Sequence, residues 1–159
     1  MTLAQQALVE LDSAQEFFNR STRNLTEEHS TLAPAAGMMT AAQQVAHAAQ
    51  TIDWFIAGAF RPEGFDSDWE AHAKVVHGYT SLQAARAWFD KAMADARQTI
   101  ATKADDELLV PLPAGPVMGG APRFAIFGAI TDHTAHHRGA LTVYARTAGI
   151  VPPMPYMEM

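Results

Sequence analysis

Apolar residues recur at every third or fourth position in four long stretches of this chain, which is the spacing of amphipathic helices. The first stretch predicts a helix over residues 3–25. A second helix is expected to begin after Thr40, because a threonine followed three residues later by Gln43 is typical of a capping box. It continues to about Phe60. The inner sides of these two helices are formed by Leu3, Ala7, Leu11, Ala14 and Phe18, and by Val45, Ala49, Ile52 and Ile56.

Two further helices are predicted in the second half of the chain. Ser81 is a suitable N-cap for a helix whose inner side ends at Ile100. The last helix extends from about Pro122, a favourable first-turn residue, to Ala148, with Gly149 as its C-cap. Four helices without a competing strand pattern or an internal repeat predict an all-α fold, a four-helix bundle in a single domain over residues 1–159.

The segments between these helices differ in character. Residues 62–80 are expected to be irregular, with one short helical piece at about 69–76, and their length allows a crossover between the second and third helices. Residues 107–112, at the start of a loop rich in proline and glycine, suggest a short strand or hairpin arm. The apolar, proline-containing tail after Val151 is expected to pack against the bundle mouth or a partner subunit.

Composition and charge exclude several classes of protein. The chain has no cysteine, which rules out a disulfide scaffold, an iron–sulfur site and a cysteine nucleophile. Its formal charge of −6 and the absence of a dense basic stripe argue against a nucleic-acid partner. Glu10 and Asp12 interrupt the apolar core that a signal peptide needs, and no apolar run is long enough to span a membrane. We therefore expect a soluble, cytoplasmic protein.

The last predicted helix contains three of the seven histidines, and all three fall within a stretch of five residues. His133 and His137 are four residues apart, so both imidazoles can point to the same place, as in helices that offer two ligands to one metal ion. Helical phase places this pair on the inward stripe and His136 on its flank. Asp132 is four residues before His136 and can hydrogen-bond to it.

A third ligand from a facing helix is expected at His47, in the second helix. Its neighbours on that helix are mixed polar and aromatic residues, which suit the wall of a cavity: Gln43, Gln44, Thr51 and Trp54. Three neutral imidazoles would leave one coordination position open for water or substrate, as in catalytic metal sites. The alternative is that all three are polar residues of the bundle interior, bonded to Gln43, to Thr51 or to each other.

These residues carry a family resemblance. Residues 133–149 read HTAHHRGALTVYARTAG and resemble the last helix of the DinB-like (DNA-damage-inducible, YfiT-like) family, whose pattern is approximately HxxxHRGQL followed by an aliphatic stretch, an arginine and a glycine. His47, followed by Asp53-Trp54-Phe55, resembles the single histidine of that family's second helix. Ala140 departs from the pattern, since the family often has glutamine there, and a polar neighbour of the site is therefore missing.

The resemblance implies an up-down-down-up four-helix bundle, often dimeric, with a divalent metal ion on His47, His133 and His137. Zinc or nickel is expected. Better-understood relatives transfer low-molecular-weight thiols or use one as a cofactor, so the first hypothesis is a metal-dependent thiol S-transferase acting on a small molecule. Metal-activated water in a hydrolase is a neighbouring possibility.

The second hypothesis is a non-catalytic stress-response or binding module whose metal is structural or absent. Under the enzyme hypothesis, the crossover is where a lid or a proton-transfer group could lie, and it contains Glu70, His72, His77 and Tyr79; none of these is assigned a catalytic role. The three tryptophans, Trp54, Trp69 and Trp88, are assigned to the core and interfaces.

Overall fold

Four long helices and two short ones make up the computed structural model, which describes residues 1–157. The helices are α1 (Leu3–Thr22), α2 (Ala41–Phe60), α3 (Trp69–His77), α4 (Leu82–Ala101), α5 (Asp105–Leu109) and α6 (Ile126–Thr147). The described residues contain no β-strand, and their extended pairing is limited to one isolated bridge between Pro111 and Pro122. The predicted all-α fold class is confirmed.

The hydrophobic core lies between the four long helices. Both α1 and α2 pack against α4 and α6. Small residues predominate on the buried side of α2, which lets its backbone approach its neighbours closely, while the larger side chains come mainly from the other three helices. The core includes Leu11, Phe18, Ala42, Ala46, Ala49, Ile52, Phe89, Met93, Ile130 and Leu141. Each of the large side chains contributes about 1.5–3 kcal/mol through burial. The up-down-down-up order of the long helices stays a prediction.

Local capping explains where the long helices begin. Thr40 and Gln43 form the predicted capping box, with Gln43 N donating to Thr40 Oγ1 at 3.3 Å and Thr40 N to Gln43 Oε1 at 2.9 Å. Ser81 Oγ accepts from Ala84 N at 3.1 Å and begins α4. The α6 helix begins at Ile126, a few residues later than predicted, because residues 123–125 form a 3₁₀ turn.

Helix α1 ends at Thr22, earlier than the predicted boundary at residue 25. The cause is Arg86 on α4, whose guanidinium donates to the carbonyl oxygens of Thr22 at 2.7 Å and Leu25 at 3.3 Å. A cation at the C-terminus of a helix satisfies carbonyl groups that have no partner within the helix. The end of α1 is therefore set by a residue far away in the sequence.

The predicted strand or hairpin arm at residues 107–112 is wrong for its first half, which belongs to helix α5. Three acidic residues in the first turn of α5 favour a helix start, and the Glu107 carboxylate accepts from Ala104 N at 3.2 Å. Only the second half is extended: Leu112 N donates to Ala121 O at 2.7 Å and closes the loop that leads to α6.

The crossover between α2 and α4 contains α3, close to the predicted helical piece at 69–76. Asp68 caps its N-terminus by accepting from Ala71 N at 3.0 Å. Gln43 of α2 donates from Nε2 to His77 O at 3.1 Å, at the C-terminal end of α3. Trp54 Nε1 donates to Asp66 O at 2.7 Å. These bonds fix the crossover against one face of α2.

The tail packs along the outside of α1 and α6. Arg20 Nη1 donates to Pro155 O at 2.7 Å, and the Tyr156 ring lies edge-on to Phe17 with ring centroids 5.1 Å apart. As far as residue 157 the tail thus packs on its own chain, along the outside of the helices, while its contact with a partner subunit stays a prediction; the last two residues lie outside the described part. Among the described residues, no helix has the length and apolar character needed to cross a bilayer.

Candidate metal centre

Three histidine side chains converge between α2 and α6. His47 comes from α2, and His133 and His137 come from successive turns of α6. One nitrogen of each ring lies within 4.8 Å of a nitrogen of the other two, and His133 Nε2 and His137 Nε2 are 3.3 Å apart. Across the residues that the structure describes, this is the only group of histidine and carboxylate ligands close enough to hold one metal ion.

A polar network fixes the orientation of His137, which is only 4% exposed. The Gln44 side chain of α2 bonds His137 Nδ1 through Oε1 and donates from Nε2 to Tyr144 Oη at 3.1 Å. Tyr144 in turn donates to Met39 O at 2.8 Å. An amide oxygen is an acceptor, so Nδ1 of His137 carries the proton and Nε2 keeps its lone pair. That lone pair faces the other two histidines.

Burial keeps the three imidazoles neutral at pH 7. Burial first, and then the neighbouring His133 and His47, together lower the pKa of His137 to about 3. The pKa of His133 falls to about 4, mainly through burial and then through His47. Burial also lowers the pKa of His47, while a hydrogen bond from its ring to the Gln50 side chain acts in the opposite direction. Neutral imidazole is the form that binds a metal ion.

The donor set fits a divalent transition-metal ion. Two nitrogen ligands at 2.0–2.1 Å from a tetrahedral zinc ion lie about 3.3–3.4 Å apart, which matches the separation of the two Nε2 atoms on α6. Without a cation, the lone pair of His137 Nε2 faces a second imidazole nitrogen in a mostly apolar interior. Imidazole donors suit zinc, nickel, copper and iron, so the set does not select among these metals.

A cavity of about 290 Å³ opens beside the histidines, between α2 and α3. His47 and His133 form part of its wall together with the polar residues Gln50, Thr51 and His72. The rest of the wall is apolar and aromatic, with Met39, Trp54, Phe55, Trp69, Ala73 and Val76. Trp54 and Trp69 lie with ring centroids 5.4 Å apart. The cavity can accommodate a small, largely apolar molecule next to His47 and His133.

Of the remaining histidines and crossover residues considered for the site, one lines the cavity and the others do not. His136 is exposed, although its ring centroid is 5.0 Å from that of His137, and it lies outside the three-histidine cluster. Glu70 and His77 are exposed on α3, and Tyr79 stacks on Trp88 away from the cavity. Only His72 of the four crossover residues lines the cavity beside the cluster.

Two functional side chains were missed by sequence reasoning. Gln44 was noted only as part of a polar stripe, and its bond to His137 was not predicted; Gln50 was not singled out at all. Both lie one helical turn from His47, before and after it. A polar residue three positions from a buried histidine on the same helix is a signal that could have drawn attention to them.

A helical bundle with three inward histidines from two of its helices defines a class of metal-site bundle proteins. The DinB family model matches residues 1–159, and the chain belongs to the DinB family. In fold it is similar to a DinB-like protein from Bacillus cereus ATCC 10987, with a TM-score of 0.69 and 21% identity over 95% of this chain and 93% of the other. No curated protein matches the sequence.

Proposed function

We propose that this protein is a divalent-metal-dependent enzyme of the thiol S-transferase type, which binds zinc or nickel through His47, His133 and His137. The observation that carries the proposal is the convergence of three neutral imidazoles, one buried and two partly buried, next to a mostly apolar cavity. Three protein ligands leave a coordination position open, which is the arrangement of catalytic sites. When bound, a divalent ion lowers the pKa of a coordinated thiol or water enough to give a nucleophile at neutral pH.

The chain's own residues determine the rest of the chemistry. Because there is no cysteine, the thiol must be a separate small molecule. Gln44 holds His137 in the ligating tautomer, and the aromatic wall from Trp54 and Trp69 gives an apolar acceptor a surface to pack against. In the transfer, the thiol loses its proton and its sulfur bonds to an electrophilic carbon of the acceptor. A leaving group then departs with its electron pair, or the proton returns to the neighbouring carbon.

Metal content is the first test. We would measure zinc and nickel by mass spectrometry in the purified protein, in a His133→Ala/His137→Ala double variant, and in a matched His136→Ala variant. His136 is an exposed histidine of the same helix, so its loss should leave the metal in place. The proposal requires near-stoichiometric metal in the parent and in His136→Ala, and none in the double variant. Absence of metal from the parent after zinc and nickel are offered would refute it.

Activity is the second test. With zinc bound, consumption of a small cysteine-derived thiol and an aromatic electrophile should be faster than without protein and should be lost in His137→Ala. Turnover that survives in metal-free His137→Ala would remove the metal from the mechanism. A parent that binds metal stoichiometrically but unfolds when the metal is chelated, and turns over no thiol, would favour the non-catalytic module instead.

A further inference from the structure

The crossover helix α3 contributes a side chain that reaches toward the metal-binding histidines through one glutamine. Gln50 lies one helical turn after His47 on α2, and both line the cavity together with His72 of α3. Gln50 Nε2 lies 3.3 Å from His72 Nδ1, and the Gln50 side chain also acts on His47, whose pKa it raises against the effect of burial. Gln50 therefore bridges a histidine of the cluster and a histidine of the crossover.

The bridge continues to a carboxylate. His72 Nε2 is buried and, within residues 1–157, makes no hydrogen bond, while Asp66 Oδ2 lies 3.5 Å from it. Asp66 is in the loop before α3 and is held there by the bond from Trp54 Nε1 to its carbonyl oxygen. His72 and the carboxylate that faces it thus both belong to the crossover.

Along this series of side chains, each hydrogen-bond donor faces an acceptor. An amide Nε2 is a donor, so His72 Nδ1 accepts and the His72 proton resides on Nε2, facing the Asp66 carboxylate. This leaves Gln50 Oε1 as the acceptor for a ring N–H of His47, and the other His47 nitrogen keeps its lone pair. Metal-ligating histidines generally donate their second N–H to such a partner, which fixes the ring and raises its basicity.

We infer that Gln50, His72 and Asp66 are positioning residues for the metal site: they orient His47 for ligation and make the crossover part of the metal-binding unit. The inference rests on the proposed metal-binding function. In this inference His72 does not contact a bound ligand. It holds the Gln50 amide in one orientation. Gln44 does the same for His137 from the other side of His47, so each of these two histidines has its own glutamine.

The test is zinc affinity, measured by competition with a chelator, for the parent and for Gln50→Leu, His72→Ala and Asp66→Asn. Loss of an outer partner of a metal ligand typically weakens binding 10–100-fold. We expect a dissociation constant raised about 10-fold or more in Gln50→Leu and His72→Ala, and a smaller increase in Asp66→Asn. His77→Ala removes an exposed histidine from the same helix and should stay within about twofold of the parent.

Two further measurements separate positioning from a general effect on folding. The His72→Asn variant keeps an amide oxygen that can accept from Gln50, so it should recover part of the affinity that His72→Ala loses. The Gln50→Leu/His72→Ala double variant should lose little more than Gln50→Leu alone, because both changes break the same chain. Bound cobalt(II) should also show a changed visible spectrum in Gln50→Leu.

The outcomes distinguish this inference from the proposal on which it rests. If the parent binds no zinc, the proposed function fails. If the parent binds zinc while folded Gln50→Leu and His72→Ala bind it within twofold of the parent, the metal site stands and the positioning role is overturned. The positioning role would also be overturned if the loss of zinc affinity in the Gln50→Leu/His72→Ala double variant equalled the sum of the losses in the two single variants.

Discussion

At the scale of single residues, the candidate site depends on side chains that never touch the proposed metal ion. Gln44 uses both ends of its amide, with Oε1 on His137 and Nε2 on Tyr144. A leucine of similar size would leave the buried Nδ1–H of His137 without a partner, and a buried polar group that loses its partner costs about 1–3 kcal/mol. The imidazole would then be free to rotate away from His133.

We therefore predict that Gln44→Leu weakens zinc binding by about 10–100-fold while the protein remains folded. Chelator competition gives the affinity, and circular dichroism shows that the helices are intact. Gln98→Leu, at an exposed position of α4, is the matched control and should bind zinc like the parent. Unchanged affinity in Gln44→Leu would show that the Gln44–His137 bond has no part in ligation.

The lowered pKa values of the histidines predict that the metal-free protein is destabilised by mild acid. An unfolded chain takes up protons on these histidines below pH about 6.5, whereas folded His133 and His137 resist protonation until pH about 4 and about 3. The free energy of unfolding should therefore be level above pH 7 and fall as the pH drops below 6.5. Each histidine contributes at most about 1.4 kcal/mol per pH unit, and less where water reaches the ring.

Urea unfolding between pH 7.5 and 5, with a chelator present, measures this dependence. In the His133→Ala/His137→Ala variant, the free energy of unfolding should depend clearly less steeply on pH over the same range, since this variant lacks two of the three histidines with lowered pKa values. Equal slopes in the two proteins would mean that other groups cause the acid sensitivity.

The sequence indicated which histidines come together, but not which side chains fix the orientation of their rings. The spacing of His133 and His137 and the polar stripe around His47 follow from helix geometry, and the structure brings these three residues together. The bond between Gln44 and His137 joins positions 93 residues apart. Such a bond depends on how α2 and α6 are rotated against each other, which no local pattern specifies.

At the scale of elements, the crossover is held on α2 by a close contact at Gly58. A Cβ atom at this position would lie 2.1 Å from Cδ1 of Phe65, whose ring packs against Trp54 with centroids 4.8 Å apart. The absence of a side chain at position 58 is what lets the Phe65 ring approach the helix this closely. Because Trp54 is also part of the cavity wall, this contact helps to shape the cavity.

We predict opposite effects for two glycine substitutions in helices. Gly58→Ala should lower the free energy of unfolding by about 1–3 kcal/mol, because the rigid Phe65 ring must move. Gly139→Ala on α6, where an added Cβ meets no atom within 4 Å, should raise it by about 0.5–1 kcal/mol through helix propensity. Urea titrations of both variants test the pair. A stabilised Gly58→Ala would show that Phe65 does not occupy this place.

Element boundaries were predicted well where capping is local and poorly where it is not. The starts of α2 and α4 were predicted because Thr40 with Gln43, and Ser81, are local signals. The end of α1 depends on Arg86, which lies 64 positions beyond Thr22. The short α5 was misassigned because its apolar pair, Leu108 and Leu109, fits a strand as well as a single helical turn.

At the scale of the whole molecule, the core is complete without a metal ion. The buried apolar side chains of the four long helices form one continuous cluster that includes Phe18, Ile52, Phe89 and Leu141. The three histidines lie at one place between α2 and α6 rather than at the centre of this cluster. A metal ion bound there would therefore add to a fold that already has its own source of stability.

Chelation should consequently leave the helices intact. We predict the same far-ultraviolet circular dichroism with and without zinc, together with a higher melting temperature when zinc is present. At free zinc 100 times above its dissociation constant, the gain is about 2.7 kcal/mol. His136→Ala should show the same stabilisation, and His133→Ala/His137→Ala none. Loss of helicity on chelation would mean that the metal is structural.

The division of the site between segments has a consequence for how such proteins can diversify. The histidines that would hold the ion lie on α2 and α6, whereas one side of the adjoining cavity belongs to the crossover, through Trp69, Ala73 and Val76. Replacement of these three side chains would reshape the cavity while leaving the three histidines in place. The link from the crossover to the histidines is the contact of His72 with Gln50. Under the proposed function, selectivity for the substrate would therefore be encoded largely apart from the metal ligands, and substitutions in a short stretch of the gene would change it.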